Sequence, residues 1–265
     1  GPGTVSVGPE ELADRPVTAV SNGALSFYIV NEVGGNLIRL QDAQGRPFLY
    51  DHFPEVKPLF FMGDHIGGVT PSAFHPHGDN PFAKPEPVQV APVEKGRWAG
   101  VRAAWTVHES ERLRGQQFSL TYLVLPGCPL VRMRLAHNNP TPRRVRWVGL
   151  LLFDLALGGE MGGLTFAAPG TTQTWVRHPA PMVPFIAPPH PGAPWVWATK
   201  EGQSLLAFAP AGSPVTVAAF DLQMTAAILF GEAETGPHDS SAMEFALALN
   251  QDRETAPAWV RALGG

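Results

Sequence analysis

The 265 residues predict an all-β chain of antiparallel strands, and two observations carry that expectation. Short runs in which apolar and polar residues alternate recur at regular spacing, separated by turn residues, the pattern of a sandwich or barrel. Twenty-eight glycines and twenty-eight prolines then break the chain too often for long helices. No collagen-like period accompanies them, and 44% hydrophobic residues is ordinary for a globular protein. With no internal repeat and no linker visible, a single β-sandwich domain is expected over residues 17–265, preceded by an N-terminal extension at 1–16.

From Val17 the chain reads as a meander. Leu25, Phe27 and Ile29 share one face of a strand, Asn22-Gly23 and Gly34-Gly35 supply turns that tolerate positive φ, and a second strand follows over 36–40. The turn Asp42-Ala43-Gln44-Gly45 leads into a third. Two further strands flank Lys95-Gly96. A hairpin pairs 116–125 with 130–138 across Pro126-Gly127, where Val131, Met133 and Leu135 alternate with Arg132, Arg134 and Ala136, so that one face is buried and one wet. The next strand, VRWVGLLLFDLAL, is apolar almost throughout and suits a central position covered on both faces. Five strands fill the last third, and a short amphipathic helix over 254–263 is expected to dock Trp259, Val260 and Leu263, with Pro257 tolerated in its first turn.

Two stretches break this regularity. Residues 60–87, FFMGDHIGGVTPSAFHPHGDNPFAKPEP, concentrate His65, His75 and His77 with Asp64, Asp79, Asn80 and Lys84 among Gly and Pro residues that speak against a regular element. Phe60, Phe61, Met62, Ile66, Phe74 and Phe82 supply apolar surface to pin it, so an ordered binding loop is expected. The second stretch, 175–194, is proline-dense and carries Trp175, Arg177, His178 and His190. His75 and His77, spaced i, i+2, have the spacing of a metal pair with His65 or Asp79 in sequence reach. No cysteine cluster or HExxH motif accompanies them, and no metal or cofactor is expected.

A formal net charge of −4 supplies no field to recruit nucleic acid. No apolar run is long enough for a membrane-spanning helix, and the first residues have neither the basic start nor the apolar stretch of a signal peptide. The single cysteine, Cys128, allows no intramolecular disulfide and assigns no compartment. Small neutral or polar ligands remain as the expected partners.

The order of these pieces resembles the galactose-mutarotase-like β-supersandwich of the aldose 1-epimerases. The resemblance lies in the opening meander NGALSFYIVNEVGGNLIRLQDAQGRPFL, the loop HPHGDNPF, the hairpin LTYLVLPGCPLVRMRLAHNNPTPRRV and the closing strand MEFALALNQD. It implies a sugar on the concave face of the sandwich, beneath the 60–87 loop. Epimerase chemistry protonates the ring oxygen and deprotonates the anomeric hydroxyl, which needs an acid and a base on opposite sides of the pyranose. By position, His77 matches the loop histidine and Glu232 is the nearest candidate for the base, with Glu234 and Glu244 close in sequence. His75, Asp79, Asn80, Asp154, Trp175, Arg177 and His178 are the expected sugar contacts. Asp154, inside an apolar strand, has a second reading as the partner of Arg146 or Arg177. The strand after the hairpin lacks the family's second histidine, so a glycan-binding or structural domain without the chemistry is the alternative.

Overall fold

The computed structural model describes residues 4–59, 63–73, 82, 84–175, 184–186, 194–213, 215–222 and 225–264. In chain order the strands are β1 (Ser6–Leu12), β2 (Arg15–Ser21), β3 (Leu25–Val30), β4 (Leu37–Asp42), β5 (Lys57–Leu59), β6 (Gly63–His65), β7 (Gly68–Ala73), β8 (Gln89–Lys95), β9 (Trp98–Thr106), β10 (Gln117–Val124) and β11 (Leu130–Asn138). There follow β12 (Val145–Phe153), β13 (Leu164–Ala168), β14 (Thr171–Trp175), β15 (Pro184–Ile186), β16 (Trp195–Lys200), β17 (Gln203–Phe208), β18 (Val217–Leu222), β19 (Thr225–Thr235) and β20 (Ser240–Leu249), and the chain closes on helix α1 (Ala256–Leu263).

Two nine-stranded antiparallel sheets result. The first runs β1-β2-β3-β4-β7-β12-β19-β18-β15 and the second β14-β13-β16-β17-β20-β11-β10-β9-β8. Their facing surfaces close one core, to which the first sheet gives Phe27, Ile29, Leu150, Leu152, Ile228 and Phe230, and the second Leu120, Tyr122, Met133, Leu135, Phe245 and Leu247. Alternation does the sorting, because a period of two sends every other side chain inward. The Tyr122 hydroxyl, fully enclosed, donates to the Gly35 carbonyl at 2.9 Å and so joins the two layers by a satisfied polar contact.

The hairpin expected over 116–138 is β10 with β11, in register from Gln117↔Asn138 to Val124↔Val131. Strand β12 is central as its composition requires: Leu150, Leu151, Leu152 and Phe153 are all buried. Helix α1 lies on the outer face of the second sheet, burying Ala256 and Val260 among Leu206, Phe208 and Ala248, with Trp259 and Leu263 partly buried beside them. Residues 6–16 join the fold, since β1 pairs with β2 along its whole length.

Two expectations are corrected. The third strand of the opening meander is replaced by isolated bridges, Gln41↔Pro47 and Leu49↔Leu155, because Pro47 has no amide hydrogen to extend a ladder. The 60–87 stretch does contain regular structure: β7 sits between β4 and β12 in the first sheet. Gly68 makes this possible, for its φ is +83° and a Cβ there would lie 2.1 Å from the Leu37 carbonyl oxygen. Pro71 is accommodated because the ladder from β7 to β4 is the single pair Leu37↔Val69, leaving that edge otherwise open. Ile66 and Phe82 are buried as expected, Phe82 against the edges of Trp105 and Phe118.

Candidate functional site

The first sheet is organised about β12. Its inward residues Val148, Leu150 and Leu152 belong to the core. Leu151 and Phe153 point to the opposite, outer face and pack with Ala227, Phe220 and Leu229 of the neighbouring strands. The two ends of β12 carry different chemistry.

At one end, Gly149 pairs with Ser72 of β7 on one side and Glu232 of β19 on the other. The register to β19 shifts between Gly149 and Leu150, so Gly231 has no partner on β12 and instead donates to the Thr216 carbonyl at 2.7 Å. Such bulges bend a strand and re-aim the side chains beside them. Gly149 is required there, since a Cβ would fall 2.4 Å from the Gly231 carbonyl oxygen. The segment bearing His75 and His77 departs from β7 at Ala73, opposite Val148. Glu232 and the start of that segment therefore flank the same two positions of β12, two strand spacings or about 10 Å apart.

His75, His77, Asp79, Asn80, Arg177 and His178 lie outside the described residues, as does the Glu232 side chain. Trp175, expected in a loop, has its backbone in β14, paired with Leu164 at the edge of the second sheet; its side chain is outside the described part. The stretch 175–194 also contributes β15, paired with β18.

The other end of β12 holds a group that sequence reasoning did not assemble. Asp154, one residue past the strand, lies five residues from Gly149, roughly 17 Å along an extended chain. Its Oδ2 is 3.3 Å from His52 Nε2, and His65 completes a set of three in which one ligand-capable atom from each residue lies within 4.8 Å of the others. Asp154 and His65 are buried, whereas the His52 side chain remains 23% exposed. The His65 ring packs on Phe153 at 4.5 Å and edge-on to His52 at 5.3 Å. Burial, and then the neighbouring His52, hold the His65 imidazole well below its ordinary value, to about 4, so at neutral pH it is uncharged.

Backbone bonds fix the three donors. Tyr50 N donates to the Asp154 carbonyl at 2.9 Å, and His52 N donates to the Ile66 carbonyl at 2.8 Å. Asp51 pairs with Gly67, and its carboxylate takes Arg39 Nε at 2.7 Å. Of the two arginines read as partners of Asp154, Arg146 pairs instead with Glu234 at 3.3 Å, and Arg177 lies outside the described residues. Glu244 is engaged by Arg132 on the second sheet.

A second concavity, of about 430 Å³, lies at the β8 edge of the second sheet, where Gln89, Arg102, Gln117 and Asn138 line it beside Trp105 and Phe118. Near it, His137 is buried and structural. Its Nε2 lies 2.7 Å from Gln116 Oε1 and its ring stacks on Phe118 at 4.4 Å. Among the described residues no helix is long and apolar enough to cross a membrane.

No sequence-family model matches this chain, and no curated protein matches it by sequence. Solved structures do match by shape. The chain is similar to galactose 1-epimerase from Lactobacillus acidophilus, with a TM-score of 0.59 and 10% identity over 93% of this chain and 98% of that one. It is similar to a galactose mutarotase-like protein from Clostridium acetobutylicum, with a TM-score of 0.61 and 11% identity over 94% and 99%. A TPR-domain-containing protein from Parabacteroides distasonis matches with a TM-score of 0.59 and 15% identity over 94% of this chain, which spans 53% of that protein's length. The fold is thus the galactose-mutarotase-like sandwich, at identities that speak to architecture alone.

Proposed function

We propose that this chain is a carbohydrate-active protein that binds a sugar on the outer face of its first sheet and carries out epimerase-type acid/base chemistry there. The observation that carries the reading is the ladder Ser72–Gly149–Glu232. It sets the backbone of one carboxylate and the root of the histidine-bearing segment on either side of a single strand, with a bulge beside the carboxylate. An aldose opened by protonation at its ring oxygen and deprotonation at its anomeric hydroxyl needs two proton-transfer groups facing each other across the ring. In this reading His77 polarises or protonates the ring oxygen and Glu232 takes the hydroxyl proton. His75, Asp79 and Asn80 bind hydroxyls, and Trp175, Arg177 and His178 close the opposite side. Asp154, expected among the sugar contacts, lies 3.3 Å from His52 at the other end of β12 from Glu232.

The second reading, a glycan-binding or structural domain without the reaction, is favoured by one feature of β12. The run GLLLFDLAL has no histidine where the resemblance calls for the second one.

Anomer exchange followed by NMR on a panel of aldoses separates the two. The enzyme reading predicts exchange well above buffer for at least one sugar, falling by about 10²–10⁴ in His77→Ala or Glu232→Gln. Exchange no faster than buffer across the panel rejects the enzyme reading. Sugar binding retained in those same samples selects the glycan-binding form of the second reading, and no binding at all selects its structural form.

A further inference from the structure

We propose that His52, His65 and Asp154 form a binding site for one divalent transition-metal ion, zinc foremost, at the end of β12 away from Glu232. Two imidazoles and one carboxylate are the donor set of open, water-bearing sites for zinc and iron, and imidazole disfavours calcium and magnesium.

The geometry is largely made in advance. In a tetrahedron of ligands about 2.0–2.1 Å from zinc, neighbouring donors stand ~3.3 Å apart, and His52 Nε2 and Asp154 Oδ2 are already at 3.3 Å. A donor atom of His65 lies within 4.8 Å of both.

A second, independent observation points to a ligand. His65 is only 5% exposed, and its Nδ1 is buried with no hydrogen-bond partner among the described residues. Uncharged and uncommitted to any hydrogen bond, that nitrogen keeps a lone pair free to ligate a metal ion. The three ligands also come from separate segments already stitched together by the Tyr50–Asp154, His52–Ile66 and Asp51–Gly67 backbone contacts. The partly exposed His52 gives the entry path and leaves the fourth position to water.

The inference stands apart from the sugar reading, because it is tested with the ion alone. The full chain, treated with EDTA and dialysed, is titrated with ZnCl₂ by calorimetry and with CoCl₂ by visible absorption. One ion per chain is expected, with the d–d spectrum of low-coordinate cobalt and a rise in Tm on adding zinc. Asp154→Asn and His52→Gln should each weaken binding at least about tenfold. His52→Gln, at a half-buried position, keeps the test alive if Asp154→Asn does not fold. Failure to bind an ion, or unchanged affinity in a folded variant of either residue, would overturn the assignment. Affinity lost in His75→Ala and kept in Asp154→Asn would overturn it by placing the ion on the 74–81 segment.

Discussion

Acid should unfold this protein in part through His137, and the effect can be isolated. Gln116 is held in one orientation because its Nε2 donates to Asn139 Oδ1 at 2.8 Å and to Thr141 Oγ1 at 3.1 Å, which leaves Oε1 to face His137. An amide oxygen only accepts, so the proton sits on Nε2 of the imidazole and Nδ1 is the bare nitrogen, buried without a partner among the described residues. Burial lowers the His137 value from 6.5 to about 4. The folded state therefore binds its proton less readily than the unfolded chain does. The stability held by the neutral ring is fully present above about pH 6.5, is lost as pH falls toward about 4, and changes no further once both states are protonated. At about 1.36 kcal/mol per pH unit, that window is worth about 3 kcal/mol. Urea unfolding of the native chain and of His137→Gln at pH 7.5 and pH 4.0 reads it as a double difference, in which the titration of the carboxylates cancels. The variant should lose about 3 kcal/mol less than the native chain between the two conditions. Equal losses in both proteins would refute the reasoning, whatever the variant's stability at pH 7.5.

The remaining predictions concern the frame of the site. Gly149→Ala drives a Cβ against the Gly231 carbonyl and should destabilise by at least about 2 kcal/mol, whereas Gly8→Ala, with open space around it, should stay within about 0.5 kcal/mol; thermal unfolding compares them. Asn139→Ala removes the acceptor for Gln116 and Thr141 and the donors to the Arg143 and Gly236 carbonyls, which ties the β11–β12 connection to the β19–β20 turn. A loss of about 3 kcal/mol in denaturant titration is expected from the buried groups left unpaired.

The architecture was legible in the sequence because alternation is local. Leu25, Phe27 and Ile29, or Val131, Met133 and Leu135, declare a buried face within a few residues, and the apolar GLLLF run announces a strand covered on both sides. Strand β7 was hidden for the converse reason. Its Gly-Gly start and internal proline look like loop chemistry, and only the partner strands, Leu37 on one side and Val148–Phe153 of β12 on the other, show why both are accommodated. The site divided in the same way. Glu232 was named from the resemblance as a carboxylate near the end of an apolar strand; the structure describes its backbone beside Gly149 and not its side chain. The group of His52, His65 and Asp154 could not be named from the chain, since its members lie far apart in sequence and meet only where the 50–52 segment pairs with 66–67 and with residue 154. A lone aspartate in an apolar strand was the one visible signal, and it did not say which partner it would find.

Chemical-shift mapping on the isotope-labelled chain, titrated with the aldoses used for the exchange assay, tests the placement of the sugar most directly. The amides of Ser72 and Ala73, of Val148 to Leu150 and of Gly231 to Ala233 are predicted to shift together and saturate with one affinity. Shifts confined to the groove of Gln89, Arg102 and Gln117 on the second sheet, or none at any sugar concentration, would contradict that placement.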